Sequence, residues 1–310
     1  MNDIKKLSII VPCYNEEESV PLFYAETVKQ DAFFKSKGIE QEFIFVNDGS
    51  RDKTVEEVKK LRENDDRVHL ISFSRNFGKE AAIYAGFERA DGDVVVLMDA
   101  DLQDPPALLP EMFSHIEEGY DSVATRRVDR KGEPPVRSWF ARRFYALMDK
   151  ISTADIVDGA RDYRMLTRKV VDAILSMKEC NRFSKGIFGW VGFKTKWLEY
   201  ENIQRAAGET KWSFLKLFLY SLEGIMAFST VPLALPLIMG ILMCIAAFVL
   251  MIVSIVHAAL NRSPALLVIC CVICAVGGIS LCCLGIVSLY LSRLYTESKK
   301  RPKYLISEEF

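Results

Sequence analysis

Histidine is scarce in this 310-residue sequence: only His69, His115 and His257 occur, too far apart to make a metal-ligand pattern. Surplus positive charge is missing too. The net charge of −1 argues against a nucleic-acid surface, which needs a basic face to neutralise phosphates. No glycine-rich phosphate loop follows the first apolar run. Where a dinucleotide fold would carry G-x-G-x-x-G, the chain reads "PCYNEEES", and no Walker loop occurs either. The N-terminus, "MNDIKKLSIIVP", passes from a charged start straight into an apolar run. It has no signal-peptide pattern, which predicts that roughly the first 220 residues stay in the cytoplasm.

Charge itself is absent from two long stretches. None occurs from Gly224 to Asn261, and none from Ser263 to Ser292. A helix of ~20 apolar residues crosses the hydrocarbon core, so two transmembrane helices are expected near 233–257 and 265–291. The alternative is a helical hairpin buried in a large soluble core. Lys211 and Lys216 precede the first run, Arg293, Lys299, Lys300, Arg301 and Lys303 follow the second, and the connecting loop carries only Arg262. The positive-inside rule then places both termini in the cytoplasm. The expected location is the inner (plasma) membrane, as a multi-pass protein. Six of the eight cysteines, Cys244, Cys270, Cys271, Cys274, Cys282 and Cys283, fall in these runs, where they serve as small apolar packing residues. Cys13 and Cys180 are isolated, and no disulfide is expected.

The remaining sequence alternates short apolar runs with helical patterns. "LSIIVP" (7–12), "EFIFVND" (42–48), "RVHLISF" (67–73) and "DVVVLMD" (93–99) read as strands. They are continuous and β-branched, as suits strands covered on both faces. Helices are expected from Glu16 to about Phe34, from Lys53 to Arg62 and from Lys79 to Arg89. Strand–helix alternation implies right-handed crossovers and an α/β fold with a mostly parallel sheet. Ligands in such sheets bind at the carboxyl ends of the strands. Pro12–Asn15, Asp48 and Asp99–Gln103 all fall at those ends.

One stretch raises a physical question. In "VVVLMDADLQDPP" the carboxylates of Asp99, Asp101 and Asp104 crowd the end of a buried strand and repel one another. A divalent cation among Asp99, Asp101 and Gln103 would cancel that repulsion, and oxygen ligands suit Mg²⁺ or Mn²⁺. The alternative is a solvated acidic turn in which Asp104 caps the helix after Pro105-Pro106.

These segments have a family likeness. "SIIVPCYNEEES", "FVNDGSRDKT", "RNFGKEAAIYAGFERADGDVVVLMDADLQDPP" and "GARDYRMLTR" resemble the family 2 glycosyltransferases of GT-A fold. The closer likeness is to polyprenyl-phosphate glycosyltransferases of the bactoprenol glucosyltransferase and dolichol-phosphate mannose synthase type. It covers residues 5–230 or so, and the two C-terminal spans match the bacterial branch. The resemblance implies a cytoplasmic GT-A domain (1–200), an acceptor loop and interfacial helix (201–230), two transmembrane helices (231–292) and a basic cytoplasmic tail (293–310).

By the same resemblance, Pro12, Tyr14, Asn15 and Glu16 match the first nucleotide-binding segment, and Asp48 the acid that contacts base and ribose. Lys79 matches a basic position near the diphosphate, and Asp99, Asp101 and Gln103 the metal-binding D-x-D-x-Q. Plainer alternatives stand beside three of these: Pro12 ends a strand, Asp48 caps the turn at Gly49-Ser50, and Lys79 is a solvated helix residue. The implied reaction is an inverting transfer of a sugar from a nucleotide diphosphate sugar, UDP-glucose or UDP-N-acetylglucosamine, to undecaprenyl phosphate. The product would serve cell-envelope glycan modification.

An acceptor phosphate beside a diphosphate calls for arginines, which bind phosphate bidentately. The segment "ATRRVDRKGEPPVRSWFARRFY" supplies six, Arg126, Arg127, Arg130, Arg137, Arg142 and Arg143. Resemblance selects Arg126 and Arg137 for the acceptor phosphate, with Ser138; a basic face near anionic lipid is the alternative. In "DGARDYRMLTRK", Asp162 matches an acid on the acceptor side and Arg164 the following arginine. Asp158 lies close enough to share the role. "RAAGETKW" resembles R-x-x-G-x-S/T-K-Y, which implies that Arg205 and Lys211 clamp phosphate, with Trp212 in place of tyrosine. The following "KWSFLKLFLYSLEGIMAF" reads as an amphipathic interfacial helix. A flippase partner and homo-oligomers are implied for this branch. Two rivals remain at this point. A processive polysaccharide synthase would carry Q-x-x-R-W, which this sequence lacks. The other is a non-catalytic membrane protein that binds nucleotide sugar or lipid.

Overall fold

The computed structural model describes residues 4–127, 160–179, 182–200 and 265–310. The chain divides into two compact units, Met1–Gly224 with Pro302–Phe310, and Ile225–Arg301.

In the first unit the strands are β1 (Lys6–Cys13), β2 (Glu40–Asn47), β3 (Val68–Phe73), β4 (Val94–Leu97), β5 (Ser122–Arg127), β6 (Ala160–Thr167), β7 (Thr195–Tyr200) and β8 (Ile306–Glu309). They form one sheet in the order β7-β5-β6-β4-β1-β2-β3-β8. β1 pairs in parallel with β2 and β4, β2 with β3, and β5 with β7. The continuous apolar runs behave as expected: Leu7, Ile9, Ile10 and Val11 of β1 and Val94–Leu97 of β4 are all buried. Both sheet faces are covered, by α1 (Ser19–Thr27), α2 (Asp31–Ser36), α3 (Thr54–Asn64), α4 (Lys79–Arg89), α5 (Leu109–Glu117), α6 (Arg168–Ser176) and α7 (Ser184–Trp190). α4 lies close on β1. A Cβ at Gly86 would run into the Ile10 side chain, so glycine there sets the helix–sheet spacing.

Three features depart from the sequence reading or add to it. The single helix expected from Glu16 to Phe34 is two helices, α1 and α2, joined by a 3₁₀ turn at Val28–Gln30. Thr27 Oγ1 donates to the Phe23 carbonyl at 2.8 Å, a back-bond that bends helices. The bend accompanies an aromatic cluster in which Phe34 packs edge-on against Phe113 with centroids 5.6 Å apart.

The second feature is β6, which enters the sheet antiparallel between β4 and β5. It pairs Leu97 with Arg164. Continuing that register by two residues sets Asp99 opposite Asp162, so the amino end of β6 joins the carboxyl-end edge of the parallel strands.

The third is the C-terminal tail, where the sequence reading placed no strand. β8 pairs antiparallel with the edge strand β3. Leu70 and Phe310 exchange backbone hydrogen bonds of 3.0 and 3.1 Å, and Ser74 N–H donates to Leu305 O at 2.9 Å. Tyr304 stacks on Phe73 with centroids 4.8 Å apart, and its hydroxyl donates to Glu88 on α4 at 2.6 Å. Lys59–Glu308 and Arg89–Glu309 ion pairs flank the strand. The tail covers an edge that would otherwise expose unpaired backbone groups.

In the second unit, helix α8 (Ala265–Ser298) has 34 residues, about 50 Å at ~1.5 Å per residue. It covers the second expected span. Its side chains are described only in part, and among the described residues no helix is long and apolar enough to cross a membrane. The first expected span, 233–257, lies outside the described residues.

Candidate active site

Four consecutive parallel strands, β4, β1, β2 and β3, end on one edge, and each is followed by a polar loop. The loop after β1 is tied to the loop after β2. Asn15 adopts φ +55°, its N–H donates to Ser50 Oγ at 2.9 Å, and its Oδ1 accepts from the Arg51 N–H at 2.8 Å. Glu16 N–H donates to Thr54 Oγ1 at 2.8 Å, and the Glu16 carboxylate accepts from Ser19 Oγ at 2.8 Å. Pro12 occupies β1 opposite Val46, where the lack of an N–H suits the end of a strand. Tyr14 sits between these anchored residues. Tyr14, Asn15 and Glu16 thus belong to a preformed double loop, which Pro12 precedes at the end of β1.

Asp48 is buried and does not cap the Gly49-Ser50 turn. Asn47 does that, accepting from the Ser50 N–H at 3.1 Å. The Asp48 carboxylate instead accepts the Phe77 N–H at 2.6 Å and the Gly78 N–H at 2.9 Å. Burial pushes its carboxyl up and outweighs these two donors. The loop it holds favours glycine at two points, one for its backbone angle and one for close approach as well. Gly78 has φ +100°, and a Cβ on Gly49, at φ +65°, would strike the backbone of Arg75 and Asn76.

The turn after β4 separates the three carboxylates. Asp104 is 0 % exposed and caps no helix. Its Oδ1 accepts from Tyr200 Oη at 2.9 Å and from the Arg161 guanidinium at 3.3 Å. Asp101 Oδ1 accepts the Gln103 N–H at 3.1 Å around Leu102, which has φ +56°. Asp99 points to another partner. Its Oδ1 lies 2.7 Å from Lys79 Nζ.

Lys79 opens α4, and its Nζ is also 2.7 Å from Asp162 Oδ2. One ammonium therefore joins β4 to β6, with Lys79 36 % and Asp162 18 % exposed. Burial alone would raise the Asp162 carboxyl, but the Lys79 ammonium, with Lys185 and Arg161, overcomes it and holds the group well below the usual carboxylate range. Burial works against the Lys79 charge, and the two carboxylates outweigh it, so the ammonium is held well above its ordinary value. Lys79 is not a solvated helix residue.

Sequence comparison settles the family. The profile described as Glycosyl transferase family 2 matches residues 8–175. The chain belongs to that family. It is 44 % identical over 304 residues to CsbB of Bacillus subtilis (strain 168), covering 97 % of this chain and 91 % of that one. It is 40 % identical over 306 residues to the prophage bactoprenol glucosyl transferase homolog of Escherichia coli (strain K12), covering 97 % and 98 %. It is also 40 % identical over 309 residues to the bactoprenol glucosyl transferase of Shigella phage SfV, covering 98 % and 99 %. The protein is a glycosyltransferase with a GT-A-like α/β fold.

For this family 2 enzyme the sheet edge brings together most of the residues singled out from sequence. Pro12, Tyr14, Asn15, Glu16, Asp48, Lys79, Asp99, Asp101, Gln103 and Asp162 all lie at it. Arg126 is the penultimate residue of β5, toward the same edge. It is 42 % exposed and ion-paired with Glu199 of β7, its Nε donating at 2.9 Å. Arg164 is buried, its guanidinium 3.8 Å from the Phe188 ring centroid, and burial lowers it to about 10. Arg137, Ser138, Asp158, Arg205, Lys211 and Trp212 lie outside the described residues.

Sequence reasoning missed the Arg161–Asp104–Tyr200 cluster and the Glu80–Ser184 contact, in which Glu80 accepts the Ser184 N–H at 3.0 Å. Arg161 directly precedes Asp162. Strand alternation across "ARDYRM" puts Arg161 and Asp162 on opposite faces, the one available signal.

Proposed function

We propose that this glycosyltransferase moves a sugar from a nucleotide diphosphate sugar, UDP-glucose or UDP-N-acetylglucosamine, to the phosphate of undecaprenyl phosphate. The anomeric carbon inverts in a single displacement. The observation that carries this reading is the shared edge. There the paired loops after β1 and β2 and the Asp99–Lys79–Asp162 bridge lie at the same ends of neighbouring strands. Relatives about 40 % identical over nearly the full chain, described as bactoprenol glucosyl transferases, support the lipid acceptor.

The residues present fit a hard divalent cation. Asp99, Asp101 and Gln103 offer oxygen only, which suits Mg²⁺ or Mn²⁺. Among the described residues no group of three His, Cys, Asp or Glu side chains could hold an ion by itself. A cation here would be held by one or two carboxylates and completed by substrate phosphates. When bound, the ion stabilises charge developing on the leaving diphosphate.

The chain's own groups do the rest. The tied loops position base and ribose, and rigid placement of reactants lowers the barrier by removing orientational freedom. Lys79 supplies positive charge between donor side and acceptor side. Asp162, held ionised by Lys79, is a poor proton acceptor. It need not be a good one, because the acceptor phosphate has a second pKa of about 6 and is largely ionised at neutral pH. Asp162 therefore orients rather than deprotonates. Arg126, with Arg137, neutralises the acceptor phosphate, and Arg205 and Lys211 close on the phosphates.

The reading places the enzyme in the plasma membrane with both termini cytoplasmic. The chain from Ser263 to Ser292 has no charged residue, and an uncharged run of that length is enough to cross ~30 Å of hydrocarbon as a helix. Pro302–Phe310 belongs to the same compact unit as the catalytic strands. An even number of crossings between residues 224 and 302 satisfies that, and the sequence offers two apolar runs.

The test is transfer of radiolabel from a panel of nucleotide sugars to undecaprenyl phosphate by the full chain in detergent. One labelled lipid product, lost with chelator and with Asp101→Ala, is expected. Nucleotide release without labelled lipid for every donor would refute the acceptor.

A further inference from the structure

Lys79 has more than one partner to choose from, and this choice has a consequence for how the site fills. Its backbone is fixed. Gly78 is held by Asp48, and α4 begins at Lys79 itself. Its side chain is long, partly exposed, and ends 2.7 Å from both Asp99 and Asp162. A divalent cation ligated by Asp99 would face this ammonium across a single carboxylate. Like charges at that range repel strongly even in a partly screened site. A nucleoside diphosphate offers Lys79 another set of oxygens, and moving there removes the repulsion.

We propose that Lys79 sets the loading order of the site: its ammonium competes with the divalent cation for Asp99, so the cation binds well only together with a nucleoside diphosphate. This rests on the reading of Asp99 as a metal ligand. In this role Lys79 is a positioning residue for Asp99 and Asp162 before it is a diphosphate contact. A lysine whose ammonium stayed away from Asp99 would leave nucleotide-free metal affinity almost unchanged when removed.

The experiment is Mn²⁺ titration of the full chain in detergent, followed by electron paramagnetic resonance, with and without UDP. Native protein, Lys79→Arg, Lys79→Met and the neutral-pair variant Lys79→Met/Asp162→Asn are compared. Without UDP, Lys79→Met is expected to bind Mn²⁺ about tenfold or more tighter than native, the scale of removing one nearby positive charge. The double variant also frees Asp99 but removes one charge of each sign, so a smaller shift in the same direction is expected, which keeps the test available if the single variant does not fold. Lys79→Arg should stay within about twofold of native, because it keeps the charge. Equal or weaker nucleotide-free binding by both methionine variants, with UDP-dependent Mn²⁺ binding intact in native protein, overturns the loading order alone. Absence of Mn²⁺ binding in native protein even with UDP overturns the metal reading, and this inference with it.

Discussion

Replacing Arg161 with alanine tests whether the buried Asp104 cluster holds the turn after β4. Asp104 has no exposure. Its partners are the Arg161 guanidinium at 3.3 Å, Tyr200 Oη at 2.9 Å and, weakly, the Asp99 N–H at 3.4 Å. Removing Arg161 leaves a carboxylate in the interior without the guanidinium it pairs with. Breaking a buried pair from one side costs about 3–5 kcal/mol, which corresponds to a fall in Tm on the order of 10 °C for a chain of this size.

The loss should depend on pH. Burial raises the Asp104 carboxyl, and Arg161 opposes that rise, so alanine at 161 raises it further. A carboxyl whose folded pKa lies above its unfolded value binds protons more readily in the folded state. Stability therefore recovers as pH falls toward the unfolded value of about 3.9. Thermal unfolding of the full chain in detergent, followed by tryptophan fluorescence from pH 8 to pH 5, reads this. The Arg161→Ala deficit should shrink toward pH 5, and Arg161→Ala/Asp104→Asn should recover most of it at pH 8. A deficit below about 1 kcal/mol, or a double variant no better than the single, would refute the account of Asp104.

Gly49→Ala places a side chain at φ +65° against the Arg75 and Asn76 backbone, costing about 1–3 kcal/mol, and UDP affinity by calorimetry should fall at least about tenfold. Tyr304→Ala removes the stack on Phe73 and the bond to Glu88; a loss of about 2 kcal/mol should appear as a lower Tm. The pH profile of transfer should rise through a single ionisation near 6, the second ionisation of the acceptor phosphate, with no step from Asp162 above pH 4 because Lys79 holds that carboxyl low. A profile with its inflection moved by Lys79→Arg would contradict this.

The β1–β4 half of the fold was legible because its runs are continuous, apolar and β-branched, and α4 begins and ends at Lys79 and Arg89 as read from the pattern. The half built on β5, β6 and β7 was not. β6 carries Arg161, Asp162 and Arg164 in a strand, and a polar strand gives little hydropathy signal. Its antiparallel pairing with β4 and the shared contact with Lys79 bring Asp162 to Asp99. The role of Asp104 was equally hidden, since its partners Arg161 and Tyr200 are 57 and 96 residues away in sequence. β8 escaped notice because "ISEE" is short and half acidic, and its pairing depends on β3 presenting a free edge. The proposed metal role of D-x-D-x-Q and the proposed phosphate role of the arginine-rich segment rest on residue chemistry and resemblance; Arg137, Arg205 and Lys211 lie outside the described residues.

The central claim is that a lipid phosphate attacks the sugar directly. Undecaprenyl phosphate incubated with the full chain and its active α-linked donor should be examined by ³¹P NMR, with the anomeric coupling measured in the isolated lipid. The account predicts a phosphodiester carrying one sugar in β configuration, absent with Asp101→Ala. Unchanged lipid phosphate beside free sugar and nucleotide, or an α-linked product, would contradict it.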